Sequence, residues 1–190
     1  MLLLMSLVAA AAAAIPAAEQ APVYKAAKAT RRGGKWLLCA DQPQPEGVTV
    51  DHYGDLNGDG RPEALLSEGG SFCYGATGVG YALLSKQANG SWRLMSNGAG
   101  MVGLLKTKGA GGYPDLSIGG PGFCFPVHRW DGRAYALQRH EYEGKACRPA
   151  RQTRSTIASA TQPIAAPAAV SLTKWSHLAI RAKAAAAAAP

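Results

Sequence analysis

From residue 35 to residue 147 the apolar positions fall in short runs broken by glycine, and an apolar stripe at helical spacing is weak throughout. The runs predict strands at 35–39, 48–53, 63–67, 81–87, 91–96, 116–118, 125–130 and 135–140. Asn89-Gly90 and Asp131-Gly132 mark hairpin turns, because both residues of each pair tolerate the positive φ that a two-residue loop needs. Ahead of the strands, 23–30 (VYKAAKAT) predicts one short helix, stopped by Gly33-Gly34. Many short strands with glycine turns predict a compact all-β domain of antiparallel sheets over 23–149, long enough for one core.

Inside that domain two stretches can be laid over each other at an offset of about 52. One runs from Gly60 through Pro62 and Glu63 to Phe72-Cys73-Tyr74; the other runs from Gly112 through Pro114 and Asp115 to Phe123-Cys124-Phe125. Each has Gly-x-Pro-acid, a short apolar strand, glycines and an aromatic–Cys–aromatic triplet, so duplication is the better reading, with repeats at 54–97 and 106–143. Since the repeats equate Cys73 with Cys124, a Cys73–Cys124 disulfide would tie the two units together, and Cys39–Cys147 would fasten the domain's ends. Four cysteines allow three connectivities, and free thiols are the alternative.

Composition separates the domain from its flanks. The chain has 190 residues with 20 Lys+Arg, 12 Asp+Glu and a formal charge of +8. Residues 35–147 hold 10 basic and 11 acidic residues, so the excess sits in the two ends, and a uniformly basic nucleic-acid-binding fold is excluded. Residues 1–18 (MLLLMSLVAAAAAAIPAA) have the order of a signal peptide, cleaved near Ala18, although no Lys or Arg precedes the apolar run; an uncleaved anchor is the alternative. An even cysteine count without CxxC agrees with export to the periplasm or beyond. The tail, 150–190, is Ala-rich and basic: 151–167 reads as a disordered linker, and Leu172, Trp175, Ala179 and Ala182 fall on one side of a possible helix. The tail is expected to act as a solvated flank or to make weak contact with an anionic surface.

The candidate chemistry lies in Asp55-Leu-Asn57-Gly-Asp59-Gly60-Arg61-Pro-Glu63. Side-chain oxygens at positions 1, 3, 5 and 9, with glycine at 6, suit a hard cation such as Ca²⁺, which needs six or more oxygens from a tightly curled loop. Position 12 is Leu66, where an EF-hand has a bidentate Glu, and strands flank the loop, so the EF-hand fold is rejected. A tight turn in which Asp55 and Asp59 accept backbone N–H bonds is the metal-free alternative. The string DLNGDGRPEALL resembles the calcium loop and following strand of FG-GAP/VCBS-type repeats, the blades of integrin-like propellers; GYPDLSIGG resembles the same repeat with its loop degraded. The resemblance implies two propeller-blade-like units and a Ca²⁺ held by Asp55, Asn57, Asp59 and Glu63, with the Arg61 carbonyl as a further ligand. Two copies cannot close a seven-bladed ring, so the global fold does not transfer. In the second copy Thr107, Gly109 and Gly111 replace the first three ligands, which predicts one structural metal site.

Gly98 to Gly103 matches GxGxxG, but the following segment is too short for the helix that dinucleotide binding requires. GxSxG, HExxH and Walker sequences are absent from the sequence, and His52, His128, His140 and His177 are scattered. Phe72, Tyr74, Phe123, Phe125 and Trp130 cluster near the Cys loops, either packing around the disulfides or forming a recognition face where loops 74–80 and 119–125 meet. Together these readings describe an exported, disulfide-stapled monomer that binds a protein or glycan without catalysis. The alternative is a hydrolase using surface carboxylates such as Glu141 and Glu143.

Overall fold

The computed structural model describes residues 14–149, and within them the fold is all-β with one short helix ahead of the sheets. The chain opens with α1 (Ala17–Ala26), followed by a small hairpin of β1 (Thr30–Arg32) and β2 (Lys35–Leu37). β3 (Thr49–Gly54), β4 (Glu63–Gly69), β5 (Val79–Lys86) and β6 (Trp92–Ala99) form a four-stranded antiparallel sheet in sequence order. β7 (Met101–Lys108), β8 (Pro114–Gly119), β9 (Phe125–Trp130), β10 (Tyr135–Tyr142) and β11 (Lys145–Ala146) form a second antiparallel sheet, again in sequence order. A one-turn helix, α2 (Ser71–Tyr74), follows β4. Each sheet runs up and down in sequence order, and β4 and β8 carry the aligned acids Glu63 and Asp115.

The first sheet is covered on both faces. Ala64, Leu66, Ala82 and Leu84 pack against Ile15, Val23, Tyr24 and Ala27 of the α1 region. Leu65, Tyr81, Leu83 and Met95 turn the other way and meet Leu116 and Trp130 of the second sheet. Double coverage explains why β4 and β5 read as continuous apolar runs, Ala64-Leu-Leu and Tyr81-Ala-Leu-Leu, rather than alternating ones. The second sheet turns its apolar core residues to the inner face. Asp115, next to Leu116 in β8 and so turned the other way, is buried against Arg129 and Arg139, and β10 has no fully buried residue.

Three expectations are corrected. The helix spans Ala17–Ala26 and contains Pro22, whereas 23–30 was expected; Pro16 stands before its first turn. The chain leaves the helix through Lys28 at φ 59, and Gly33-Gly34 (φ 56 and 81) form the turn of the β1–β2 hairpin rather than a simple helix stop. β7, which supplies an edge of the second sheet, occupies the segment considered above only as a GxGxxG match. The disulfides are Cys39–Cys73 (Cα–Cα 6.4 Å) and Cys124–Cys147 (Cα–Cα 5.9 Å), so the Cys73–Cys124 and Cys39–Cys147 pairing is overturned. The reason is local. The Cys39 N–H donates to Glu68 Oε2 at the end of β4 (2.8 Å), beside Cys73, while the Cys147 N–H donates to the His140 carbonyl of β10 (3.1 Å). Each staple closes within its own half.

The expected leader lies mostly outside the described residues; its last residues, Ala17 and Ala18, begin α1, and Ile15 is buried. The tail 150–190, with its expected linker and amphipathic stretch, lies outside the described residues. Among the described residues no helix is long and apolar enough to cross a membrane. Two disulfides belong with an oxidising environment.

Candidate functional site

The acidic loop joins β3 to β4, and it curls because its glycines permit it: Gly58 and Gly60 sit at φ 89 and 80. Asp55 closes the curl, accepting the Gly58 N–H on Oδ1 (2.7 Å) and the Gly60 N–H on Oδ2 (2.8 Å). These N–H bonds, that from Gly60 first, hold the Asp55 carboxyl below its ordinary value. Asn57 Oδ1 accepts the Asp59 N–H (3.0 Å), and Asp59 Oδ1 accepts the Arg61 N–H (2.9 Å). The Arg61 guanidinium pairs with Asp59 Oδ2. Glu63, the first residue of β4, is fully buried. Its Oε2 accepts the Leu56 N–H (2.8 Å) and its Oε1 the Ser85 hydroxyl (2.8 Å), which also meets the Tyr113 hydroxyl (2.8 Å). Burial pushes the Glu63 carboxyl above its ordinary value, and the charges of Asp59 and Asp55 add to the shift.

The donor chemistry of this loop fits a hard cation. Asp55, Asn57 and Asp59 offer oxygens at alternate positions, and a carboxylate oxygen that accepts one N–H bond keeps a lone pair for a second partner. In the conformation described, however, the acids are not drawn together: no group of three or more Asp, Glu, His or Cys at metal-holding spacing exists among the described residues. Arg61 holds one oxygen of Asp59 that a cation would need. The loop oxygens accept backbone N–H bonds in this arrangement, and the ligand types of a hard-cation site are in place without full convergence.

The equivalent place in the second sheet is built differently. Asp115, also fully buried, stands where the repeat puts Glu63. The residue facing Glu63 across the sheet is Ser85; extending the β8–β9 register by one pair puts Arg129 opposite Asp115. Arg129 binds both carboxylate oxygens (2.9 Å each), while Arg139 (2.9 Å) and the Thr107 hydroxyl (2.7 Å) add to Oδ2. These donors, Arg129 foremost, hold the Asp115 carboxyl far below the usual carboxylate range. One lost ligand of this loop also has a steric reason. Gly109 stands where the first copy has Asn57, and a Cβ there would lie 2.3 Å from the Trp130 carbonyl oxygen.

The aromatic residues separate into two groups. Phe72 (69 % exposed) and Phe123 (75 % exposed) occupy matching places, each directly before a disulfide cysteine. Phe123 meets the edge of Tyr142 at 5.6 Å, and half-buried Phe125 packs on the same ring at 6.0 Å. Loops 74–80 and 119–125 do touch: a Cβ on Gly120 would sit 3.4 Å from the Thr77 methyl. Tyr74 turns inward and donates its hydroxyl to Glu68 Oε2 (2.6 Å). Trp130 is corrected as a surface residue. It is 5 % exposed and lies in the core between Tyr113 and Tyr135. Glu141 is paired with Arg139 (2.9 Å), and Glu143 stands in the β10–β11 turn at φ 50.

Sequence reading missed the Asp115–Arg129–Arg139 cluster, whose signal was the alignment of Asp115 with Glu63 combined with one arginine on each of the next two strands. It also missed Glu68, a buried acid on β4. Comparison with known proteins returns no match: no family model fits the chain, and no curated protein or solved structure aligns with it.

Proposed function

We propose that this chain is an exported, non-catalytic binding module whose recognition face is formed by the two disulfide-tethered Cys loops and whose acidic loop is stiffened by one Ca²⁺. The observation that carries the reading is the pair of exposed phenylalanines, Phe72 and Phe123, at matching positions on stapled turns whose loops meet at Thr77 and Gly120. Large apolar side chains held out to solvent on a rigid scaffold suit contact with a partner, protein or glycan. Support for the metal comes from the ligand types of Asp55, Asn57, Asp59 and Glu63, from the carbonyl of Arg61, and from a buried Glu63 that has no cation of its own among the described ion pairs. When bound, Ca²⁺ would supply positive charge to that carboxylate; the chain's own part is to curl the loop through Gly58 and Gly60 and to release Arg61 from Asp59. The role is structural, because carboxylates and an amide leave no position for a substrate.

The test is capture of a partner from an exported-protein fraction by the wild-type chain and by a Phe72→Ala/Phe123→Ala variant. The partner is expected to be lost with the variant while stability changes by no more than about 0.5 kcal/mol, as for exposed side chains generally. Turnover of glycan, ester or peptide substrates by the wild-type chain would replace this reading with a hydrolase.

A further inference from the structure

The expected leader, 1–18, and the folded domain share residues. Ile15 is 4 % exposed and belongs to the core cluster that holds Val23, Tyr24, Leu66 and Leu84. The Pro16 carbonyl accepts the Glu19 N–H (2.8 Å) and the Gln20 N–H (3.2 Å), opening α1. The Gln20 side-chain amide returns to the Ile15 carbonyl (3.2 Å). Glu19 pairs with Lys86 and accepts the Trp92 indole N–H (2.7 Å), which fixes the first turn of the helix to the first sheet. A cut after Ala18 would take Ile15 out of the core and leave its apolar neighbours lining a void. It would also remove the carbonyl that receives the Glu19 and Gln20 N–H groups, and set a new ammonium at the positive end of the helix dipole.

The residue types upstream supply a better place. Residues 9–14 are all alanine, so small residues stand at the third and first positions before a cut after Ala11, Ala12, Ala13 or Ala14. A cut after Ala18 has Pro16 at the third position instead. Ala14 is exposed, and an amino terminus there or just ahead of it keeps its charge in water while Ile15 stays in the core. We propose that the leader is removed within the alanine run, ahead of Ile15, by a peptidase that reads small residues. Ile15 and Pro16 then remain in the exported chain as part of its fold. The step is hydrolysis of one peptide bond: water gives its hydroxyl to the leader's last carbonyl and a proton to the new amino terminus. The inference rests on the exported reading above and moves its processing point from Ala18 into the run 9–14.

The test is N-terminal sequencing and thermal melting of the full chain, expressed with its leader in a Gram-negative host and recovered from the periplasm. The first residue should be one of 12–15. In Ile15→Asn, sequenced in the same way, Tm should fall by about 5 °C or more, because an amide replaces an apolar side chain in the core. If that variant does not fold, Ile15→Val should give a smaller fall in the same direction. A product that starts at Glu19, or at any residue after Ile15, would overturn the inference and leave the exported reading standing. Equal Tm values for the wild type and the Ile15 variants would do the same, since residue 15 would then be absent from the product or idle in it. A chain that keeps residues 1–8 on the membrane overturns the cut but not export. One that keeps them and stays in the cytosol removes the exported reading together with the inference.

Discussion

The two sheets place a buried acid at the same point of the same repeat, yet they stabilise it by opposite means. In the second, Asp115 faces Arg129 and Arg139 and is held ionised. In the first, Glu63 faces Ser85, receives two neutral hydrogen bonds and is driven toward its protonated form by burial. One cross-strand difference, serine against arginine, decides whether the charge is neutralised by the chain itself or is left for a proton or an outside cation. Stretches that align in sequence need not share a ligand. The copy that lost its loop oxygens carries its own cations.

The largest effect should come from removing those cations. An Arg129→Ala/Arg139→Ala variant leaves Asp115 buried and unpaired, and its unfolding free energy in urea should fall by about 3–5 kcal/mol. Adding Asp115→Asn should recover part of the loss, because the stranded charge goes with it. Full stability of the arginine variant would mean that Asp115 has other partners. Next come the staples, with sequence separations of 34 and 23. Removing either pair of cysteines should cost about 3–4 kcal/mol, and because each bridge lies within one half, loss of one should leave the other formed on non-reducing peptide mapping.

A smaller, pH-dependent contrast follows from the two acids. Asp115 has a lowered folded value, so its contribution is complete above the unfolded value and is lost as pH falls toward the folded one. Glu63 has a raised folded value, so its contribution is complete below the ordinary glutamate range and is lost as pH rises through the folded value. Glu63→Gln should therefore stabilise the metal-free chain at pH 7 and make little difference at pH 4. A stability gain that is the same at both pH values would contradict the assignment.

Much of this contrast was written in the sequence, and the part that was not has identifiable causes. The Gly-x-Pro-acid match aligned Glu63 with Asp115, and the Asp55-x-Asn57-x-Asp59-Gly60 spacing marked a curled oxygen-rich loop. Sequence could not say which residue stands across the sheet, because Ser85 is 22 residues from its acid and Arg129 only 14, a difference shared between a longer connection from β4 to β5 and longer strand arms. Cysteine pairing failed for a related reason. Equivalence by repeat says that Cys73 and Cys124 occupy like places, not that they are close; proximity came from the Cys39–Glu68 bond and the β10–β11 return. Trp130 was misplaced because an aromatic six residues past Cys124 reads the same whether its strand end turns to the core or to solvent, and here it fills the space between the sheets. β7 was hidden by Gly103, which interrupts an otherwise strand-like run.

The difference between the two acids is tested most directly by melting the chain and its Glu63→Gln variant with and without Ca²⁺. At a concentration about ten times a dissociation constant in the ~10⁻⁴–10⁻³ M range, linkage gives about 1.4 kcal/mol. The wild-type Tm should then rise by a few degrees, return with chelator, and rise further in Arg61→Ala, where Asp59 is freed. Glu63→Gln should lose most of the shift, and Arg129→Ala should keep it. A wild-type Tm indifferent to Ca²⁺ and chelator, or an equal shift in Glu63→Gln, would contradict the account.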